Sequence, residues 1–470
     1  MTAPGSHASY DLLLRGGEVL LETGLARRDV AVAGGTIAAL LEPGTGSAAH
    51  TIDIGGRHVL PGVIDVHFHV RAPSYPERGT VLSETRAAAA GGVTTIFEMP
   101  ISKPCCNSAA ILEERRRHFA SEAVVNFALY GAPGASDEAG TQAMLDAGAI
   151  AFKIFTTAAP PNRDDEFKGL ALPEEMQQHE TLQRVAKTGA LTVIHAESEP
   201  MMAHFMERER ASGRRDADAH LNSRPALVEA MAIAKILTLA RGAGASIHIA
   251  HVTCRAALDV IRAFKAIGTD VSAETCPHYL LFTNEDVARV GAPAKINPPV
   301  RSADDRDALW GGIRDGTITM VTTDHAPFSK REKDAVQGDM LAAPPGSPGV
   351  EFLLPVMLDA AARGRLPLEE AVDLITRNGA KRFGVYPAKG VIRVGSDADL
   401  VVVDLTRETV VEPGRLFTAA REVAGLFAEQ RFKGAVDTTI VAGEVVFHAG
   451  EVTGKPGHGR FVPGRGAARS

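Results

Sequence analysis

Between residues 61 and 380 the chain alternates short apolar runs with longer segments of helical period. Eight runs are strand-like: GVIDVHFHV, GVTTIFEMP, AVVNFALYG, GAIAFKIFTT, ALTVIHAES, ASIHIAHVT, TDVSAETCP and ITMVTTDHA. Between them lie amphipathic stretches such as SETRAAAAG, PEEMQQHETLQRVAKTG and RPALVEAMAIAKILTLARG. Strands alternating with helices predict a parallel sheet, and eight such units predict a (β/α)8 barrel. No GxGxxG follows the first run, which argues against a doubly wound sheet.

The two ends have a different texture. Residues 10 to 60 read as short alternating segments punctuated by glycine pairs, and the pattern returns in VGSDADLVVVDL and FKGAVDTTIVAGEVVF. This is hairpin punctuation. It predicts a small β-sandwich assembled from both termini: residues 1–60 supply its first part, 61–384 the barrel and 385–455 its second part. Residues 456–470 read as a loose tail, expected to pack on a neighbouring subunit.

At 470 residues the chain is too long for one small core. A net charge of −7 argues against nucleic acid as a partner. The four cysteines have no CxxC spacing, so a reducing compartment is expected. The first residues lack the basic and apolar regions of a signal peptide, and no uncharged apolar run approaches the ~20 residues that span a bilayer. A cytoplasmic chain without membrane contact is the expectation.

In such a barrel the reactive groups stand at the C-terminal ends of the strands. Run one ends in His67 and His69, run four carries Lys153, run five ends in His195, run six in His251 and run eight in Asp324. His67 and His69 alternate with one residue, so both face one side of the strand, and paired imidazoles suit Zn²⁺. In run six His248 and His251 are three apart and should face opposite sides. His251, nearer the end, is the expected ligand, with His248 behind the barrel wall. Any one of these is unremarkable, but six ligand-capable groups gathered in one cavity would be costly to bury without a metal. Lys153 leaves two readings open: a neutral amine that takes up CO₂ to give a metal-bridging carbamate, or an ammonium paired with a carboxylate such as Glu98.

Together PGVIDVHFH, AAAAGGVTTIFEMP, FKIF, VIHAES, IAHVT, ETCPHYL and TTDHAP resemble the cyclic amidohydrolases: dihydroorotases, allantoinases and hydantoinases or dihydropyrimidinases. The resemblance spans nearly the whole chain. It implies two divalent metal ions, with zinc expected, held by His67, His69, Lys153 as an N6-carboxylated lysine, His195, His251 and Asp324. It implies that a metal-bridged hydroxide opens the C–N bond of a cyclic amide, ureide or imide, with Asp324 as proton shuttle, and that the chain forms a homodimer or homotetramer.

The substrate side departs from each relative. Arg71 resembles the arginine that grips the carboxylate in dihydroorotases, but a surface salt bridge is its alternative. Ile101 stands where those enzymes have an asparagine, and Phe328 where they have a histidine, so dihydroorotate is the second reading behind an allantoin- or hydantoin-like ring with a more apolar substituent. Hydantoinases place a tyrosine five residues after the bridging lysine, where this chain has Ala158. Asn297 in KINPPVR is expected to touch the ring through its main chain, and His278 in CPHYL to bind the ring or support the site. A metal-free scaffold and a mononuclear deaminase are the remaining rivals. In the latter a glutamate follows the fifth-strand histidine by three residues, whereas Glu197 follows His195 by two.

Overall fold

The computed structural model describes residues 10–466. All eight barrel strands form where the pattern places them: β1 (Val63–Phe68), β2 (Val93–Glu98), β3 (Asn126–Leu129), β4 (Phe152–Phe155), β5 (Leu191–His195), β6 (Ser246–Ile249), β7 (Val271–Thr275) and β8 (Met320–Val321). They pair in parallel as two ladders, β1–β2–β3 and β4 through β8. Single bridges close the ring, Gly131 with Phe152 between β3 and β4, and Phe68 with His325 between β1 and the turn after β8. Because helices cover the outer face, β1 and β2 are buried at every position, including the polar Asp65, His67, Thr94, Thr95 and Glu98.

The helices follow their sequence signals. Helix α1 (Val81–Ala90) begins at a capping box between Thr80 and Ser83, and the helix Ala226–Ala243 ends at Gly244 with φ +67°. Inside the barrel, below the strand ends, Ile64, Val66, Phe97, Tyr130, Val193, Met320 and Phe383 form one apolar cluster. Phe97 meets Phe383 edge-on at 5.3 Å. This plug fills much of the lower barrel.

Both ends of the chain join in one nine-stranded sheet. The seam is antiparallel, with Leu60 opposite Val401 and Val59 opposite Val402. Gly34 and Gly35, at φ +59° and +80°, make the tight turn between Gly24–Ala33 and Thr36–Leu41, a geometry that favours glycine. The segment between the strands Leu400–Val410 and Arg431–Val441 leaves this sheet and packs on the barrel, with Phe427 stacked on Phe352 at 4.3 Å.

The tail is not loose. Phe127 of β3 donates to Arg460 O (3.0 Å), Val462 donates back to Phe127 O (2.7 Å) and Gly464 donates to Gly148 O (3.1 Å). β3 meets β4 and the residues before it through Gly131 and Leu129 O, which accepts from the Ile150 amide, and Arg460 and Val462 pair the edge at Phe127. An added Cβ on Gly459 would lie 2.0 Å from Val125 O, which is why glycine stands there. Residues 467–470 of the expected tail lie outside the described residues.

Candidate active site

A cavity of about 770 Å³ opens at the C-terminal ends of the strands. His67, His69, His195, His251 and Asp324 all line it. Asp324 Oδ1 is 3.3 Å from His67 Nε2 and 3.1 Å from His69 Nε2, and these three could hold one cation. Across the floor His195 Nδ1 and His251 Nε2 are 3.0 Å apart. Burial favours the neutral form that a metal donor must have at His69, His195 and His251: it pushes His69 down to about 3, lowers His195 and takes His251 well below its ordinary range. Burial opposes the charge on Asp324, but the histidines hold its carboxyl well below the usual carboxylate range.

Two donors sit on unusual backbone. Asp324 has φ +45° and His251 φ +36°, in the left-handed region that residues with a Cβ seldom adopt. The break at His251 also corrects the alternation argument for β6. His248 pairs in register with Val193 of the interior cluster, so it too faces inward, and its Nε2 meets Glu274 Oε2 at 2.9 Å. The left-handed residue turns His251 into the cavity as well, so both histidines are inside.

Lys153 is fully buried and its Nζ has no partner. The ion pair with Glu98 does not form: Glu98 accepts instead from the Val70 and Arg71 amides at 2.8 and 3.0 Å. Burial pulls the lysine down to about 8, against the charges of Glu274 and Asp324. A buried amine with no partner is costly. The orphan amine, four imidazoles and one carboxylate are the donor set a pair of divalent cations needs if the amine becomes an oxygen donor.

Carboxylates that were given no supporting role in the sequence hold the donors in place. Glu274 on β7 accepts from His67 Nδ1, turning Nε2 toward Asp324. Glu197 bonds His195 Nε2 at 2.9 Å and is itself gripped by Arg224, which leaves Nδ1 facing His251. Asp65 takes the Thr323 amide at 3.1 Å and ties β1 to the approach to Asp324. The sequence signal for Glu274 and Glu197 was a carboxylate at a strand end beside a histidine motif. Such partners fix ring orientation and tautomer.

The wall is less as expected. Arg71, Ile101, Asn297 and Phe328 line the cavity; His278 does not. The short helix Pro277–Leu281 begins directly after β7 and holds the His278 ring 4.1 Å from Tyr279, buried, with its pKa pushed down to about 4 by that burial. Phe328 is not a bare apolar surface. Arg71 and Arg78 lie over its ring at 4.6 and 4.5 Å, and the buried Lys333 stands at 5.6 Å. Arg71 makes no salt bridge; it donates to Pro327 O (3.1 Å), and its buried Nε has no partner. Ile101 instead joins Phe155 and Phe167 in a separate apolar patch.

Residues 58–446 match the family model described as "Amidohydrolase family". A protein named allantoinase from Rubrobacter xylanophilus is 36% identical over 97% of this chain and 98% of its own length. One named L-hydantoinase from Paenarthrobacter aurescens is 34% identical over 97% and 98%. Among solved structures, an L-hydantoinase (dihydropyrimidinase) from Arthrobacter aurescens superposes with a TM-score of 0.91 at 33% identity, covering 97% of this chain and all of that one.

Proposed function

This chain belongs to the amidohydrolase family, and on that premise we propose that it is a metal-dependent hydrolase opening the C–N bond of a cyclic amide or ureide of the hydantoin or allantoin type. His67, His69, Lys153, His195, His251 and Asp324 would hold two divalent ions, with zinc the expected metal for imidazole and carboxylate donors. The observation that carries this reading is Lys153, a buried amine without a partner at the strand end of a barrel whose cavity is lined by His67, His69, His195, His251 and Asp324. Its nitrogen adds to CO₂ and loses a proton, which replaces an orphan amine with an anionic oxygen donor. When bound, the metal pair lowers the pKa of water and polarises the scissile carbonyl.

The remaining work falls to the protein's own groups. Asp324 takes the proton from the attacking water and returns it to the leaving ring nitrogen. Its carboxyl is well suited to begin as a base, since the histidines favour its ionised form. Glu274 and Glu197 fix which nitrogen of His67 and His195 faces the centre. Asn297 lines the cavity with its side chain turned toward Arg224, so its main chain would be what meets the ring. Glu197 is engaged by His195 and Arg224, which argues against a free deaminase acid at this strand.

A second reading of the ring substituent has its own support. Arg71, Arg78 and Lys333 surround Phe328, and the one salt bridge among them is Arg78 with Glu332. A carboxylate on the substrate would offset the charge of Arg71, which lines the cavity without a salt-bridge partner among the described residues, whereas Ile101, Phe155 and Phe167 suit an apolar group. A turnover panel of allantoin, hydantoin, dihydrouracil, dihydroorotate and a simple cyclic imide tests both. Ring opening of hydantoin or allantoin supports the main reading, and preference for dihydroorotate selects the second. No turnover on any ring by metal-loaded protein rejects the function.

A further inference from the structure

Glu84 lies on α1, fully buried, and contributes nothing to the cavity lining. Its carboxylate is nonetheless saturated. Oε2 accepts from His325 Nε2 (2.8 Å) and Thr418 Oγ1 (2.5 Å), and Oε1 from the Ala419 amide (3.0 Å) and Ser83 Oγ (2.7 Å). The loop bearing Arg71 and Arg78 closes against it as well, since an added Cβ on Gly79 would lie 2.6 Å from Glu84 Oε1. A buried carboxylate with four donors from three separate parts of the chain is expensive to assemble unless it fixes something.

What it grips is the neighbour of Asp324. His325 Nδ1 accepts from the amides of Gly349 (3.0 Å) and Val350 (3.3 Å), so the ring proton must sit on Nε2 and point at Glu84. The ring stacks on Phe68 at 4.6 Å. The His325 carbonyl accepts from the His69 amide at 2.8 Å, and Phe68–His325 is the bridge that closes the barrel between β1 and β8. Asp324, one residue before, has φ +45°. Such a conformation lasts only where the surroundings over-determine it.

We propose that Glu84 is a positioning residue for the reaction, acting through His325 to hold both the β1–β8 seam and the left-handed turn that presents Asp324. The inference rests on the ring-opening reading for its kinetic part, and its structural part can be measured without turnover. Three variants test it: Glu84→Leu, Glu84→Gln, and Thr85→Val on the same helix, which removes the bond to the Val124 amide without touching His325.

In metal-free protein, hydrogen exchange at the His69, Gly349 and Val350 amides should quicken about 10-fold or more in Glu84→Leu and stay unchanged in Thr85→Val, whatever the two do to Tm. In metal-loaded protein, kcat should fall about 10–100-fold in Glu84→Leu with KM little changed. Glu84→Gln keeps an oxygen for the His325 proton and should recover to within about 5-fold of the parent, but not fully. Unchanged exchange at those amides, or a kcat loss in Thr85→Val equal to that in Glu84→Leu, overturns the proposal. If Glu84→Leu does not fold, parental kcat in Glu84→Gln overturns it. An absence of turnover in the parent chain would reject the ring-opening reading and leave the exchange result to decide this one.

Discussion

The floor and the rim of one cavity hold their charges in opposite ways. On the floor His67 leans on Glu274 and His195 on Glu197, through side chains rooted at strand ends or directly after them. At the rim Arg71 and Arg78 rest on an aromatic face; Arg78 also pairs with Glu332, while the Arg71 guanidinium pairs with no carboxylate among the described residues. On the floor the Lys153 amine, like His69 Nδ1 and Glu197 Oε1, is buried without a hydrogen-bond partner among the described residues. The groups of the floor stand on strands or just beyond their ends, whereas Arg71, Ala158 and Phe328 stand on the loops that follow β1, β4 and β8.

The sharpest way to separate floor from rim is to remove the proton carrier. Asp324→Asn should lower kcat by roughly 10²–10⁴-fold, measured at saturating ring substrate; a loss of less than tenfold would place the proton transfer elsewhere. Next comes a partner that touches no substrate. Glu274→Leu leaves His67 Nδ1 and His248 Nε2 without their acceptor, and should weaken metal binding about 10–100-fold, read by chelator competition. Parental affinity would show that the barrel alone orients His67.

A rim substitution should act on some substrates and spare others. Arg71→Met should cut kcat/KM for dihydroorotate about tenfold, the cost of one lost charged contact, with a smaller effect on hydantoin. Equal losses on both rings would make Arg71 part of the floor. The smallest effect on activity is expected at the far end of the barrel. Gly459→Ala forces a Cβ onto Val125 O and should cost about 1–3 kcal/mol of stability with kcat intact, seen as a lower Tm in thermal unfolding. An unchanged Tm would mean that the tail does not seal β3.

Much of the floor was legible in the sequence because each donor stands in a short motif at a strand end, where the fold dictates its direction. Its supports were not. His67 and Glu274 are 207 residues apart, and only closure of the barrel brings them together. His248 was misplaced because strict alternation ignores the left-handed residue at His251. At the rim, residue type misled: a phenylalanine suggested an apolar wall, but its ring serves as a platform for cations. The tail looked loose because its glycines and prolines resemble a linker, yet those glycines are what let it lie against β3 and the start of β4.

Metal content per chain, measured by elemental analysis on protein purified without chelators in the presence of bicarbonate, decides whether the floor holds two ions with a modified Lys153 among their ligands. Close to two divalent ions per chain are expected. A value near one would point to the mononuclear chemistry of a deaminase, and a metal-free chain would contradict the hydrolase reading altogether.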